Sequence, residues 1–392
     1  MFRISRFGEL LKLLPRAIFD RQVQQWQADK HCKHFTSWGH LVSMLYLQVS
    51  GQSSLRTIES GYNAQRSHHY HLGCQEIRRS TLSQANEKPS RAGVFEAMAT
   101  VLMSQAGRKL RVEGQQVLRL LDSTPITLKG PGYDQWVKHT RSKNSRGIKL
   151  HVLLGAHEQV PLSAATSALT LNDVEHGREM ELESGVIYVF DKGYCDYSWW
   201  WQIEQSKSRF VTRFKSNARL AVVKTRKIAK AARGIILKDQ WVKFANKNPG
   251  GGRCNPYTKT LRRIEVSRQE QKQPPLVLAT NDLKSSALKI AERYKQRWQI
   301  ELFFKWIKQH LRIRRFVGKS YAAVRIQIFA ALIAYLLLAL YAKAHNIRKS
   351  LWLLAAELCS TLFQRASTEW SKHRRWREQR SDFESRQMCV FA

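Results

Sequence analysis

Two aspartates each follow an apolar run that is typical of a buried β-strand. Asp122 closes the run VLRLLD, and Asp191 closes the run VIYVFD. An ionised carboxylate at the end of such a strand is costly to bury unless it is paired or bound to a metal. An aspartate at a strand-to-helix junction is also a good helix N-cap. For either residue alone, the sequence leaves both interpretations open.

A third carboxylate lies in the helical segment AERYKQRWQIELFFKWIKQH. Polar residues stand there at offsets of 0, 3, 7 and 14: Tyr294, Arg297, Glu301 and Lys308. At about 100° per residue they fall within an arc of about 60°, so they share one face of a helix. Ion pairs between turns of a solvated helix would give the same pattern. The apolar residues that crowd around the stripe, Phe303 among them, predict that part of it abuts protein.

The composition favours a polyanionic partner. Lys and Arg number 66 against 30 Asp and Glu, and the net charge of +36 is spread over all 392 residues. Such a field attracts nucleic acid. Packaging proteins of ribosomes or chromatin share the charge, but they are usually poorer in aromatic residues than this chain, which has 12 Trp and 16 Phe. The composition therefore predicts a nucleic-acid-binding protein with a substantial core.

The elements that would position these residues change in type along the chain. Helical spacing predicts a helical N-terminal domain over 1–110, where hydroxyls and basic residues suit DNA contacts. Three strands in succession and then alternating helices and strands predict an α/β catalytic domain over 115–345, with a mixed sheet flanked by helices and a long helix at about 285–310. That order suits a ribonuclease-H-like fold.

Two further segments depart from this pattern. Charged β-like runs around NPGGGRCNP predict an inserted β-rich subdomain at about 217–275. Residues 346–392 are predicted to form a charged helical tail, for which DNA binding and plain solubility are equally good interpretations.

Other features are expected to be structural. Segment 326–342 is apolar almost throughout, but at about 17 residues it is at the lower limit for a bilayer span, so we expect a buried core helix. Six cysteines without a CxxC pair predict neither a zinc knuckle nor a disulfide framework, and they fit a reducing cytoplasm. The cluster SHHYHLGC lacks the further ligands of a zinc finger. The charged N-terminus does not predict an export signal.

Together these motifs resemble an insertion-sequence transposase of the IS-four family, whose hallmark is Tyr, Arg, Glu and Lys at the spacing found here. The resemblance also covers LLDSTPITL, RGIKLHVLLG, LTLNDVEHG, VFDKGYCDY and the N-terminal RRSTLSQAN. It implies a DDE transposase that binds terminal inverted repeats, cuts DNA and transfers the freed 3′ end to a target. The implied catalytic carboxylates are Asp122, Asp191 and Glu301.

The resemblance also implies metal chemistry. Two ions roughly 3.5 to 4 Å apart would activate the attacking oxygen and stabilise the leaving oxygen of an in-line displacement at phosphorus. Hard oxygen ligands suit Mg²⁺, with Mn²⁺ as a substitute. Asp122 would bridge both ions, and Asp191 and Glu301 would each hold one.

DNA contacts follow from the same resemblance. Arg297 and Lys308 would bind phosphates near the cut, and Tyr294 would contact the backbone of the transposon end. Relatives with this signature form a DNA hairpin and use a Trp of an inserted β subdomain to stack on a flipped base. Trp241 would take that role here, although a buried strand residue is its ordinary interpretation.

Basic residues outside the signature predict general attraction to phosphate. They comprise a dense stretch and two alternating strand residues: Lys138, Arg141, Lys143, Arg146, Lys149, Arg213 and Lys215. Lys192, next to Asp191, would touch DNA or balance charge.

Three functions fit these expectations. The first is a transposase that acts as a homodimer on two DNA ends, in the cytoplasm of a bacterium at the nucleoid and away from any membrane. The second is a ribonuclease-H-like nuclease without strand transfer, against which the signature helix argues. The third is a domesticated DNA-binding protein without catalysis, in which replacing Asp122 would change no activity.

Overall fold

The computed structural model describes residues 4–133, 136–137, 146–245, 254–268, 274–311 and 315–365. The chain forms two compact units. One comprises Met1–Leu102 with Ile307–Ala392, and the other comprises Met103–Trp306. The first is helical in its described parts, and the second is built around a β-sheet.

The α-helices of the described residues, in chain order, are α1 Arg6–Lys12, α2 Arg16–Gln25, α3 Ser37–Ser50, α4 Leu55–Asn63, α5 His69–Leu72, α6 Arg79–Asn86, α7 Pro89–Lys109, α8 Asp173–Glu179, α9 Tyr197–Gln205, α10 Ala287–Gln296, α11 Trp298–His310, α12 Tyr321–Ala344 and α13 Leu351–Thr361. Short 3-10 turns occupy Arg66–His68, Lys192–Tyr194 and Lys230–Ala232.

The strands are β1 Leu118–Thr127, β2 Gly147–Gly155, β3 Pro161–Ala168, β4 Ile187–Phe190, β5 Arg209–Arg213, β6 Leu220–Thr225, β7 Ile236–Phe244, β8 Leu261–Val266 and β9 Leu276–Thr280. They form a single mixed sheet in the order β3-β2-β1-β4-β5-β9-β8-β7-β6. Strand β4 is parallel to both β1 and β5, and the other neighbouring pairs are antiparallel.

Two apolar helices, α3 and α12, form the centre of the helical unit. Helix α3 begins after Thr36, whose side chain accepts a hydrogen bond from the Gly39 N–H, and ends at Gly51 with a left-handed φ of 69°, a conformation that costs glycine little. Helix α12 is long and apolar enough to cross a membrane, but 94% of its most apolar window is buried inside the protein. The amide of Gln327 is satisfied by the backbone of residues 315 and 317. This burial fits the expected core helix.

The core of the sheet unit is aromatic. Trp199 and Trp200 of α9 are fully buried, and they pack on Phe190 of β4 and Phe210 of β5 with ring centroids 4.6 to 4.8 Å apart. Asp196 caps α9 by accepting a hydrogen bond from the Trp199 N–H at 2.9 Å. Buried aromatic rings contribute large apolar areas, so this cluster holds α9 against the two strands that precede the candidate site.

The observed order of elements confirms the expected mixed sheet flanked by helices, with β1, β2 and β3 in succession and then α8, β4, α9 and β5. Strands β6, β7 and β8 fall in the expected insertion and continue the same sheet through β9. The predicted domains over 1–110, 115–345 and 346–392 stay predictions. Most of the tail, 366–392, lies outside the described residues.

Two expectations about local structure were wrong. Asp122 does not end a strand, because β1 continues to Thr127 through its pairing with β2. The single helix expected at about 285–310 is divided into α10 and α11 at Arg297, where the Arg297 N–H bonds to the Tyr294 carbonyl three residues back instead of four.

Candidate active site

The sheet sets the first two carboxylates side by side. Parallel pairing of β1 with β4 ends at Leu121 opposite Phe190, so the next residue on each chain segment is an aspartate: Asp122 inside β1 and Asp191 just after β4. Neighbouring strands lie about 4.8 Å apart. Asp191 makes no side-chain capping hydrogen bond with the 3-10 turn that follows, and Asp122 precedes no helix. Helix capping therefore explains neither residue.

The junction of α10 and α11 supplies the third carboxylate. Arg297 donates from Nη1 to Asp122 Oδ2 at 3.3 Å and from Nη2 to Glu301 Oε1. The Tyr294 hydroxyl donates to Asp191 Oδ1 at 3.4 Å. Residues that are more than a hundred positions apart in sequence thus meet at one edge of the sheet. The predicted group of Asp122, Asp191, Glu301, Tyr294 and Arg297 is brought together.

Arg213, the last residue of β5, joins the same group. Its Nη2 donates to Asp191 Oδ1 at 2.5 Å, and both side chains are partly shielded from solvent. Sequence reasoning expected Arg213 to contact DNA and did not anticipate this pairing. The pair follows from topology, because β4 and β5 are parallel neighbours that bring the ends of both strands together.

The two aspartates have pKa values shifted in opposite directions. Burial raises the pKa of Asp122 to about 6, and the nearby Asp191 and Glu301 add to the effect, against the Ser123 N–H and the Arg297 charge. Burial also raises the pKa of Asp191, but the hydrogen bond and charge of Arg213 outweigh it and hold that pKa below its usual range. The carboxylate of Asp122 is less well compensated by positive charge than that of Asp191, so it binds a proton, or another cation, more readily.

The donor set fits divalent metal ions of the hard class. Three carboxylates face two guanidinium groups, and carboxylate oxygens are preferred ligands of Mg²⁺ and Mn²⁺. Within the described ranges, no three His, Cys, Asp or Glu side chains converge closely enough to enclose one ion. Arg297 bonds to both Asp122 and Glu301. The two arginines therefore offset part of the negative charge of the three carboxylates.

Other predicted DNA contacts lie elsewhere in the chain. Lys308 follows Glu301 by seven residues on α11, and Arg146 directly precedes β2. Trp241 is half-buried on β7, with Lys224 Nζ at 5.5 Å and Arg226 at 5.7 Å from its ring centroid. Their contacts with DNA stay predictions.

The other basic residues that the sequence singled out lie in different environments. The Lys149 ammonium is held internally, since it donates to the Leu171 carbonyl at 2.7 Å and to Asp173 Oδ1 at 3.0 Å. The side chains of Lys192 and Lys215 are exposed. The predicted basic residues Lys138, Arg141 and Lys143 lie outside the described residues.

Sequence reasoning missed several residues at the site. Ser123 and Asp173 form a polar link beside Asp122, and the ring of Tyr194 is buried next to them. Trp298, directly after Arg297, is 58% exposed. The motif LTLNDVEHG contained the signal for Asp173, but an aspartate at the start of a helix is also an ordinary capping residue.

Comparisons with known proteins identify the family of the chain. The family model described as "Transposase DDE domain" matches residues 113–337, and a domain of unknown function matches residues 3–75. A Sinorhizobium fredii protein named as transposase y4zB is 42% identical over 288 residues, which is 72% of this chain and 77% of that protein.

Two more distant sequence relatives are also named as transposases. A Geobacillus stearothermophilus protein named as the transposase for insertion sequence element IS5377 is 27% identical over 68% of both chains. A Synechocystis protein named as the transposase for insertion sequence element IS4SA is 26% identical over 67% of this chain and 71% of that protein. Among solved structures, piggyBac transposase in a synaptic complex with hairpin DNA is similar with a TM-score of 0.48 and 8% identity, over 91% of this chain and 79% of that chain.

Proposed function

Because the chain belongs to the DDE transposases, enzymes that cut DNA and transfer strands with divalent metal ions, we propose that Asp122, Asp191 and Glu301 are its catalytic carboxylates. The enzyme binds the terminal inverted repeats of an insertion sequence, cuts at those ends and joins them to target DNA. The Tyr-Arg-Glu-Lys spacing in the sequence supports membership of the IS-four family.

One observation carries the proposal. Arg297 bonds to both Asp122 and Glu301. Asp191 directly follows β4, whose pairing with β1 ends one residue before Asp122. Three carboxylates from two strands and a helix thereby share one edge of the sheet. Burying like charges together is unfavourable unless cations compensate them, so a solvated surface stripe does not account for the arrangement.

The residues of the site have different roles in the proposed reaction. Asp122, Asp191 and Glu301 would hold two Mg²⁺ ions, or Mn²⁺ in their place, and the ions supply activation of the attacking oxygen and stabilisation of the leaving oxygen. Arg297 and Arg213 limit the negative charge that the approaching DNA meets, and Arg297 would bind a phosphate near the cut. Tyr294, with its hydroxyl beside Asp191, orients the DNA backbone near the cut.

The proposal extends to the core fold, the oligomeric state and the cellular location of the enzyme. The order of strands, with β1 to β3 antiparallel and β4 and β5 parallel to β1, supports a ribonuclease-H-like core with β6 to β8 as its insertion. The enzyme works as a homodimer on two paired ends, in the bacterial cytoplasm at the nucleoid and without a membrane contact. The described cysteines are free thiols, which suits a reducing compartment.

The test uses purified protein and a plasmid that carries the DNA flanking the gene. Mg²⁺ should produce breaks at the element ends and joined products, and EDTA should produce neither. Glu301→Gln keeps the size of the side chain and removes its charge, so it should abolish both products while leaving end binding intact. Breaks without joined products would indicate a nuclease, and full activity of Glu301→Gln would overturn the assignment.

A further inference from the structure

Ser123, the residue after Asp122, links two carboxylates. Its backbone N–H donates to Asp122 Oδ1 at 2.8 Å, and its hydroxyl donates to Asp173 Oδ1, also at 2.8 Å. Asp173 begins α8, fifty residues further along the chain. The orientation of the Asp122 carboxylate is therefore connected, through one residue, to a distant part of the sheet unit.

Asp173 is itself held in place. Lys149 of β2 donates to Asp173 Oδ1 at 3.0 Å, and also to the Leu171 carbonyl at 2.7 Å. The side chains of Lys149 and Asp173 are 18% and 26% exposed, so the ion pair is shielded from much of the solvent screening that weakens surface pairs. Strand β2 and the start of α8 thus fix the acceptor of the Ser123 hydroxyl.

Tyr194 closes the cluster from the side of Asp191. Its side chain is 1% exposed, and its N–H donates to the Asp191 carbonyl at 3.0 Å. Its hydroxyl lies beside the Ser123 side chain; burial, and then the charges of Asp173 and Asp122, raise its pKa. The buried Tyr194 ring therefore lies against the Ser123–Asp173 link on the side of Asp191.

We propose that Asp173 is a positioning residue for catalysis, acting through Ser123 to fix the orientation of the Asp122 carboxylate. The inference rests on the proposed catalytic role of Asp122. Removal of a group that orients a metal ligand lowers metal affinity or activity by about 10- to 100-fold. Ser123 stays paired with β2 in any case, but pairing with β4 has already stopped at this point of β1. Loss of the Asp173 carboxylate removes the anchor of the Ser123 hydroxyl, so the segment that orients the Asp122 carboxylate is held less firmly.

The experiment measures the Mg²⁺ concentration that gives half-maximal cleavage of an end-bearing DNA. Asp173→Leu should raise that concentration by about 10- to 100-fold, whereas Asp173→Asn, which keeps an oxygen acceptor for the Ser123 hydroxyl, should raise it less. Glu175→Leu is the matched control, because Glu175 is an exposed carboxylate on the same helix, and it should match the wild type. Electron paramagnetic resonance of free Mn²⁺ measures metal binding by the same variants without catalysis.

A double-mutant cycle tests the route through Ser123. Ser123→Ala keeps the N–H that bonds to Asp122 and removes only the link to Asp173, so it should shift the Mg²⁺ requirement in the same direction. The effects of Ser123→Ala and Asp173→Leu should not add in the double variant. Additive effects, or Asp173→Leu with wild-type Mg²⁺ and Mn²⁺ dependence, would overturn the proposal.

Asp122→Ala separates this inference from the proposed function. If Asp122→Ala is inactive but the Asp173 and Ser123 variants behave as the wild type, only the positioning role fails. If Asp122→Ala cuts normally, the catalytic assignment fails. Melting temperatures identify a variant that is merely unfolded, and Ser123→Ala, which leaves the Lys149–Asp173 ion pair intact, decides the question if Asp173→Leu does not fold.

Discussion

Replacing Asp122 with asparagine should stabilise the metal-free protein while removing its activity. The side chain is only 20% exposed, and burial raises its pKa from 3.8 to about 6. A difference of about two in pKa corresponds to roughly 3 kcal/mol between the ionised and protonated forms. The ionised carboxylate therefore costs the folded state up to about 3 kcal/mol at pH 8, and an amide of the same size avoids that cost.

The stability difference between Asp122→Asn and the wild type should depend on pH. Because the pKa of Asp122 is higher in the folded than in the unfolded protein, wild-type stability falls as the pH rises from about 4 to above 6. Asp122→Asn should thus gain about 3 kcal/mol over the wild type at pH 8 and about half of that at pH 5. Asp191 has a lowered pKa, so Asp191→Asn should be less stable than the wild type at pH 8.

Urea unfolding in EDTA at pH 5 and pH 8, followed by circular dichroism, measures these differences. Destabilisation of Asp122→Asn at pH 8, or an equal gain in stability at both pH values, would contradict a pKa of Asp122 that is raised by burial. Two aspartates on adjoining strands with stability effects of opposite sign would be difficult to explain by a change in packing alone.

Three further predictions concern DNA and the fold. Trp298→Ala should weaken binding of end DNA by about 1–3 kcal/mol, because an exposed ring beside the site suits base stacking; unchanged affinity in a fluorescence titration would contradict this. Asp282→Asn should destabilise the fold by about 3–5 kcal/mol in urea, since it leaves buried Arg293 without its charged partner, and a loss below 1 kcal/mol would be inconsistent with a buried pair. Lys192→Gln should reduce the salt slope of DNA binding by about one, whereas Lys149→Gln should leave it unchanged; the reverse result would place Lys149 on the DNA.

Much of the fold could be predicted from local patterns. The runs VLRLLD, GIKLHVLLG, VPLSAATSA and VIYVFD coincide with strands β1 to β4, and the order of strands and helices gave a mixed sheet. The end of the apolar run at Leu121 did not mark the end of β1, however. Pairing with β4 stops there while pairing with β2 continues to Thr127, and a hydrophobic pattern reports burial and not pairing.

The candidate site was predicted where one motif contained its signal, as for Tyr294, Arg297 and Glu301. Contacts between distant segments were not predictable in this way. Asp173 depends on Ser123, fifty residues away, and on Lys149, which belongs to another strand. The role of an individual basic residue is also ambiguous in a chain with a charge of +36. The sequence alone does not distinguish a lysine or arginine that pairs with a carboxylate from one that binds a phosphate.

The most direct test of the central claim is transposition in cells from a donor plasmid that carries the element ends to a recipient plasmid, with junctions counted by sequencing. Wild type and Glu175→Ala should give joined ends at equal frequency. Asp122→Ala, Asp191→Ala and Glu301→Ala, each expressed at the wild-type level, should give none. Joined ends at the wild-type frequency from any of these three variants would contradict the assignment of the catalytic carboxylates.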